Sequence, residues 1–158
     1  MTRSAARELA VLVTASMSAG KDAAPEVLDR FFEKEHYDTL AAEGQQFAEF
    51  PNEKQLQYIR SLVELAAEHR AELDAEIEAQ SHGWKVARLS RSAAAILRCA
   101  LCEILYLPDV PQGAAINEAV ELAKKYEGPE GGGFINGVLG GFVRARAAEA
   151  AAETEAAE

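Results

Sequence analysis

The stretch Val110-Pro-Gln-Gly-Ala-Ala-Ile-Asn-Glu-Ala-Val-Glu-Leu-Ala-Lys-Lys-Tyr126, followed by Glu-Gly-Pro-Glu-Gly-Gly-Gly133 and Phe134-Ile-Asn-Gly-Val-Leu139, reads as two helices joined by a glycine-rich connection. Pro111 sets its own φ and biases Val110 away from helix, so a helix is expected to begin near Gly113 or Ala114. Ile116, Ala119, Val120 and Ala123 recur at spacings of three and four, the pattern of a stripe facing a core. Glu118 and Glu121 lie toward the positive end of the helix dipole, and Lys124 and Lys125 fall in the last turn, where cations are favoured. Gly128, Pro129 and Gly131 to Gly133 are expected to stop this helix and form a flexible loop. A second helix is expected from near Phe134 to about Arg146, with Ile135, Val138, Leu139 and Phe142 on its core face.

Asn117 and Asn136 interrupt these apolar runs, and each is a weak helix former. Their amides are read as ties between neighbouring loops or helix ends, with direct contact to RNA or a partner as the alternative. Gly137, Gly140 and Gly141 are read as points where a neighbouring helix approaches closely.

The remaining chain extends the helical reading. Of 158 residues 49% are hydrophobic, enough for one globular domain with a real core. Alanine is abundant and β-branched runs are few, which argues for an all-α fold. No apolar run reaches the ~20 residues needed to span a bilayer, and the N-terminus lacks a secretory-type apolar core. A cytoplasmic protein is expected. Ala6, Leu9, Ala10, Val13 and Met17 mark a first helix over about 4–18, with Gly20 as its stop. Ala24-Pro25 opens a shorter helix, residues 36–52 are mixed, and Asn52 is placed to cap a long helix running from Glu53 to Ala79. Ser81 to Gly83 breaks that helix. A central helix from about Arg91 to Tyr106 is apolar on more than one face and is expected to form the heart of the core.

Net charge is −10, which would ordinarily disfavour nucleic acid, since phosphate contact relies on Lys and Arg. The distribution changes that picture. Residues 22–82 hold 15 acidic and 5 basic side chains, and the tail from Glu149 holds four more acids; the remaining residues sum to +4. Positive charge therefore gathers in residues 1–21 and 83–148.

Several landmarks together resemble the NusB family of transcription antitermination factors. The Val110 to Leu139 stretch carries most of the likeness. Ala6-Arg7-Glu8-x-Ala10 is similar to the family's Ala-Arg-Glu-x-Ala, Leu73-Asp74, Ile77, Trp84 and Leu89 look like its mid-chain landmarks, and Ile96-Leu97-Arg98-x-Ala100-x-x-Glu103 resembles its Leu-Arg-x-Ala-x-Tyr-Glu. The resemblance covers nearly the whole chain. It implies an all-α, single-domain bundle of about seven helices over residues 1–148, followed by an acidic Ala/Glu-rich tail at 149–158. It also implies no enzymatic activity and no cofactor or metal. The implied partners are the small-subunit ribosomal protein that doubles as NusE, boxA-type single-stranded RNA of ribosomal RNA leaders, and the transcription elongation complex. Proteins of this kind occur as monomers and as homodimers.

Carried over residue by residue, the family's arginine-rich N-terminal RNA arm falls on Arg3 and Arg7. The lysines Lys124 and Lys125, the aromatic Tyr126 and Phe134, and the acidic Glu130 fall on its RNA and partner surface. Rings there can stack unpaired bases while cations neutralise phosphates; for Phe134, core packing is the alternative. Departures from the family pattern occur in the arm and further along the chain. Ser4-Ala5-Ala6 stands where the family tends to show arginines, its Leu-Tyr is Thr14-Ala15, its Tyr-Glu is Cys102-Glu103, and a glycine of the long helix is Leu65. A protein-only adaptor on the same fold, with RNA binding weakened or lost, is thus the second reading.

Other chemistries find less support. Cys99-x-x-Cys102 has the spacing of a redox pair or half a zinc site. No second pair accompanies it, and His36, His69 and His82 are scattered, so the cysteines read as small core residues. Gly131 to Gly133 lack the following Gly-Lys-Ser/Thr of a phosphate loop. Arg98 and Glu103, being charges on a central helix, are expected to be compensated internally.

Overall fold

A computed structural model describes residues 1–17 and 22–157. Its described residues form eight α-helices and two short 3-10 turns, with no strand. They are arranged in two compact units, Met1–Arg70 and Ala71–Glu158.

The first unit is built on α1 (Arg3–Ser16), whose N-cap Thr2 accepts a hydrogen bond from the Ala5 amide at 3.0 Å. Ala6, Leu9, Ala10 and Val13 are fully buried, as the periodicity requires. The expected stop at Gly20 lies outside the described residues. Pro25 stands in the first turn of α2 (Ala24–Phe31), where its missing N–H costs nothing. The mixed segment resolves into α3 (Lys34–Glu43) and a 3-10 turn at Gln45–Phe47. Phe32, Tyr37 and Phe50 pack edge to face or stacked, and the Tyr37 hydroxyl donates to the Glu49 carbonyl at 2.9 Å. Asn52 begins α4 (Glu53–Glu68) with a full capping box: its side chain accepts from the Gln55 amide, and the Gln55 side chain accepts from the Asn52 amide, both at 2.9 Å. The helices α1 and α2 pack on α4.

The continuous helix expected from Glu53 to Ala79 is two helices. The first ends at His69 (φ −100°, ψ 17°), and α5 runs over Arg70–Gln80. The buried stripe Ile59, Leu62, Val63, Ala66 would continue at positions 69 and 70, but His69 and Arg70 are polar and the stripe resumes only at Leu73 and Ile77. With no apolar residue to bury there, nothing holds the helix in register through that turn.

In the second unit, Ser81 to Gly83 break the chain as expected, with His82 and Gly83 both at positive φ. Ser90 caps α6 (Arg91–Tyr106), accepting from the Ala93 amide at 3.0 Å. Every residue from Ala93 to Ile104 is buried. Arg98 among them makes a two-pronged bond to Asp74 of α5, Nε to Oδ1 at 2.7 Å and Nη2 to Oδ2 at 3.1 Å. Beyond Pro111 come α7 (Gln112–Glu127) and α8 (Pro129–Ala157), which pack extensively on one another and on α6.

The expected glycine loop is helix. Gly128 alone leaves helical geometry, at φ +83°, and Pro129 then occupies the first turn of α8. Closeness, not flexibility, accounts for Gly131 and Gly132, whereas Gly133 meets nothing within 4 Å. A Cβ on Gly131 would lie 2.5 Å from Cβ of Glu127, and one on Gly132 would lie 3.1 Å from Cγ of Lys124. Of the glycines further along, Gly141 faces Gln80 of α5, whereas Gly137 meets nothing within 4 Å and Gly140 meets only Arg144 of its own helix. The acidic tail continues α8 as exposed helix through Ala157.

Replacing Arg98 with Ala leaves the Asp74 carboxylate without its fork. Destabilisation of about 3 kcal/mol is expected in urea unfolding, with Tyr106→Phe, which removes an exposed bond to Glu72, costing well under that amount.

Candidate nucleic-acid interface

The residues singled out from the sequence fall into two groups, one on each unit. On the first unit, Arg3 and Arg7 are one turn apart at the start of α1. Both face Tyr58 of α4: the Arg3 guanidinium carbon is 4.0 Å from the ring centroid and that of Arg7 is 6.0 Å from it. Their exposure differs sharply. Arg3 is exposed, while Arg7 is only 5% exposed and belongs to the packed surface of the helix. Only Arg3 of this pair offers its guanidinium freely to an anion in solvent. Tyr58 escaped the sequence reading because it stands beside the apolar stripe of α4, and nothing local announces that the start of α1 lies against it.

On the second unit, the turn at Gly128 brings the end of α7 and the start of α8 together. Lys124, Lys125 and Tyr126 lie in the last turns of α7, Glu130 in the first turn of α8 and Phe134 in its second. Lys124 is exposed and donates to Glu121 at 3.2 Å; Lys125 Nζ is 5.4 Å from the ring centre of Tyr126. Both rings are half-buried, anchored in the protein with an edge or face left to solvent, and Glu130 is exposed. Ser90 Oγ donates to the Glu127 carboxylate, fastening the start of α6 to the end of α7 beside this group.

Asn117 and Asn136 do not act as ties. Both are exposed, and neither side chain has a hydrogen-bond partner among the described residues. The structure brings their amides to the surface because the apolar stripes of α7 and α8 run through Ala115, Ala119, Leu122, Ile135, Val138 and Leu139 instead.

Cys99 and Cys102 are buried in α6 and form no disulfide. Burial, followed by the neighbouring Cys99 and Glu103, pushes the Cys102 thiol far above its ordinary range. A thiol so placed stays protonated near neutral pH and is a poor nucleophile or metal ligand. Among the described residues no group of three or more His, Cys, Asp or Glu side chains is arranged to hold a metal ion. None of the described helices is long and apolar enough to cross a membrane.

An arginine over a tyrosine ring on one unit, and lysines beside half-buried rings at a tight helix turn on the other, are carried by an all-helical module. The NusB family model matches residues 4–144, and the chain belongs to the NusB family, whose members are transcription antitermination factors and not enzymes. The transcription antitermination protein NusB of Acetivibrio thermocellus is 38% identical over 146 residues, covering 92% of this chain and 91% of the relative. That of Clostridium novyi is 36% identical over 145 residues, covering 92% and 100%. Among solved structures, antitermination factors NusB and NusE in complex with double-stranded RNA include a chain 26% identical to this one, with a TM-score of 0.70 over 90% of this chain and 96% of that one. A NusB from T. maritima at 21% identity supports the fold, with a TM-score of 0.74 over 91% and 92%.

The tight α7–α8 turn depends on Gly131 having no side chain. Gly131→Ala is expected to destabilise the protein by roughly 1–3 kcal/mol, whereas Gly137→Ala, at an open helical position, should be neutral or stabilising by up to about 1 kcal/mol; thermal unfolding of the two variants checks the contrast.

Proposed function

We propose that this chain is an RNA-binding antitermination factor that pairs with the ribosomal protein NusE on boxA-type RNA of ribosomal RNA operons. It would act within the transcription elongation complex, in the cytoplasm, and support antitermination and ribosomal RNA biogenesis. The observation that carries this reading is the likeness, at 26% identity over nine-tenths of the chain, to a NusB held with NusE and RNA.

In this reading Arg3, Lys124 and Lys125 neutralise phosphates, and Tyr126 and Phe134 stack unpaired bases. Half-buried rings suit this task, because a ring anchored in the core gives up little freedom when a base settles on it. For that reason the RNA segment gripped here is inferred to be single-stranded. Glu130, an exposed carboxylate, cannot contact phosphate favourably and is assigned to a base edge or to NusE. Arg7, buried on α1 in the first unit, supports Tyr58 and Arg3 there. A single exposed arginine on the arm leaves few phosphate contacts, so tight binding would require NusE.

Fluorescence anisotropy of a boxA-type RNA, with and without NusE and across a salt series, tests the proposal. Expected are NusE-enhanced binding, weakening with a slope near −0.7 per phosphate contacted, and loss of affinity in Arg3→Ala and in Lys124→Gln/Lys125→Gln. NusE binding without salt-dependent RNA affinity would replace this reading with the protein-only adaptor.

A further inference from the structure

Beside Arg3 the first unit holds an open pocket of about 240 Å³, lined by Arg3, Ala6, Asn52, Lys54, Gln55 and Tyr58. From this geometry we infer that the pocket seats a backbone phosphate of the bound RNA, with Lys54 and Arg3 as its two cationic ligands and Tyr58 as the residue that holds Arg3 in place. The inference rests on the RNA-binding reading and adds residues of α4 to it.

Charge is the first argument. Cations of the first unit are commonly neutralised: Lys34 pairs with Asp38 at 2.8 Å, and Arg60 lies near Asp29 and Glu64 at 3.7 and 3.6 Å. Arg3 and Lys54 differ. Both are exposed, and neither has a carboxylate partner among the described residues, although acidic side chains outnumber basic ones in this unit. Glu49, the acid nearest in sequence on the preceding loop, is engaged by the amino group of Met1 at 3.4 Å. Two unpaired positive charges on one concavity are a standing attraction for an anion.

Geometry is the second. A guanidinium carbon 4.0 Å from a tyrosine ring centroid is at stacking distance, and an arginine stacked by its flat face keeps the N–H groups along its edge available in a plane. That edge matches the two oxygens of a phosphodiester, and stacking removes much of the rotamer freedom that binding would otherwise have to freeze. The amide end of α4 is not what is offered. Asn52 and Gln55 already satisfy each other there, and Gln55 Nε2 donates to the Met1 carbonyl at 2.6 Å. An opening of this size exceeds by far the roughly 10–15 Å³ that one water needs.

A phosphate is favoured over a base because the charged side chains of the lining, Arg3 and Lys54, are both cations, and the amide oxygens of Asn52 and Gln55 are already engaged by backbone N–H groups. Binding here should therefore be blind to sequence. In the anisotropy assay, Lys54→Gln is expected to weaken boxA-type and scrambled RNA equally, roughly fivefold, and to reduce the salt slope by about 0.7. Lys54→Arg should retain affinity. Tyr58→Phe, which keeps the ring, should bind nearly as the wild type, whereas Tyr58→Leu should lose as much as Arg3→Ala, and combining Tyr58→Leu with Arg3→Ala should add little further loss. Because Tyr58→Leu could unfold α4, Lys54→Gln at an exposed position stands as the independent variant. If the wild type binds RNA and loses affinity in Lys124→Gln/Lys125→Gln, yet Lys54→Gln keeps wild-type affinity and slope, the pocket is not used and this inference falls while the proposed function stands. If the wild type shows no salt-dependent RNA affinity, both fall together.

Discussion

A charged side chain cannot sit in the middle of twelve consecutive buried helical residues unless an opposite charge comes to meet it. Arg98 is one such residue on α6, beside the buried Glu103, and Asp74 of α5 meets it with both oxygens. A fork of this kind is directional: it fixes which face of α5 turns to α6 and at what height along the helix, where apolar contact alone would tolerate sliding. Leu73 and Ile77 then flank Asp74 as buried contacts on the same helix. The remaining faces of α6 are left for α7 and α8, and the cap Ser90 reaches across to Glu127 where α7 ends. The position of the α7–α8 turn, and with it of the lysines and rings around it, follows from how α6 is held.

Much of this was readable in advance because it is local. The bounds of α6 follow from Ser90 before it and Leu107-Pro108 after it, and the start of α4 follows from Asn52. That Arg98 needed compensation was also readable, since the helix around it is apolar on every side. Which carboxylate would supply it was not, because Asp74 is 24 residues away and competes in the sequence with many other acids. The break at His69 has a sequence signal, the two polar residues standing where the apolar stripe should continue, but helical propensity is high throughout that segment and conceals it.

The glycines after Gly128 show the opposite failure. Clustered glycine usually means a mobile connection, and a free peptide of that composition would be one. Here the constraint is the space between two helices joined by a single non-helical residue. A side chain at 131 would collide with Glu127 and one at 132 would crowd Lys124, so the closeness of α7 favours small residues here and the helix persists despite them. Composition reports flexibility only where tertiary contact does not decide otherwise. The same logic hid Tyr58, whose meaning comes from Arg3, 55 residues earlier in the chain.

Charge placement carries the functional argument furthest. A protein of net charge −10 repels RNA at a distance, and in salt near physiological strength that repulsion is screened beyond about 8 Å. Attraction therefore has to come from a few short-range cations, each worth most when its partners inside the protein do not already neutralise it. Arg3 and Lys54 are of that kind, while Lys124 is shared with Glu121. An acidic body with isolated cationic points binds weakly to any polyanion it meets by chance, yet can hold one that reaches several of those points together. In the RNA-binding reading proposed above, such an arrangement favours recognition by a combined surface, to which a second protein contributes further contacts.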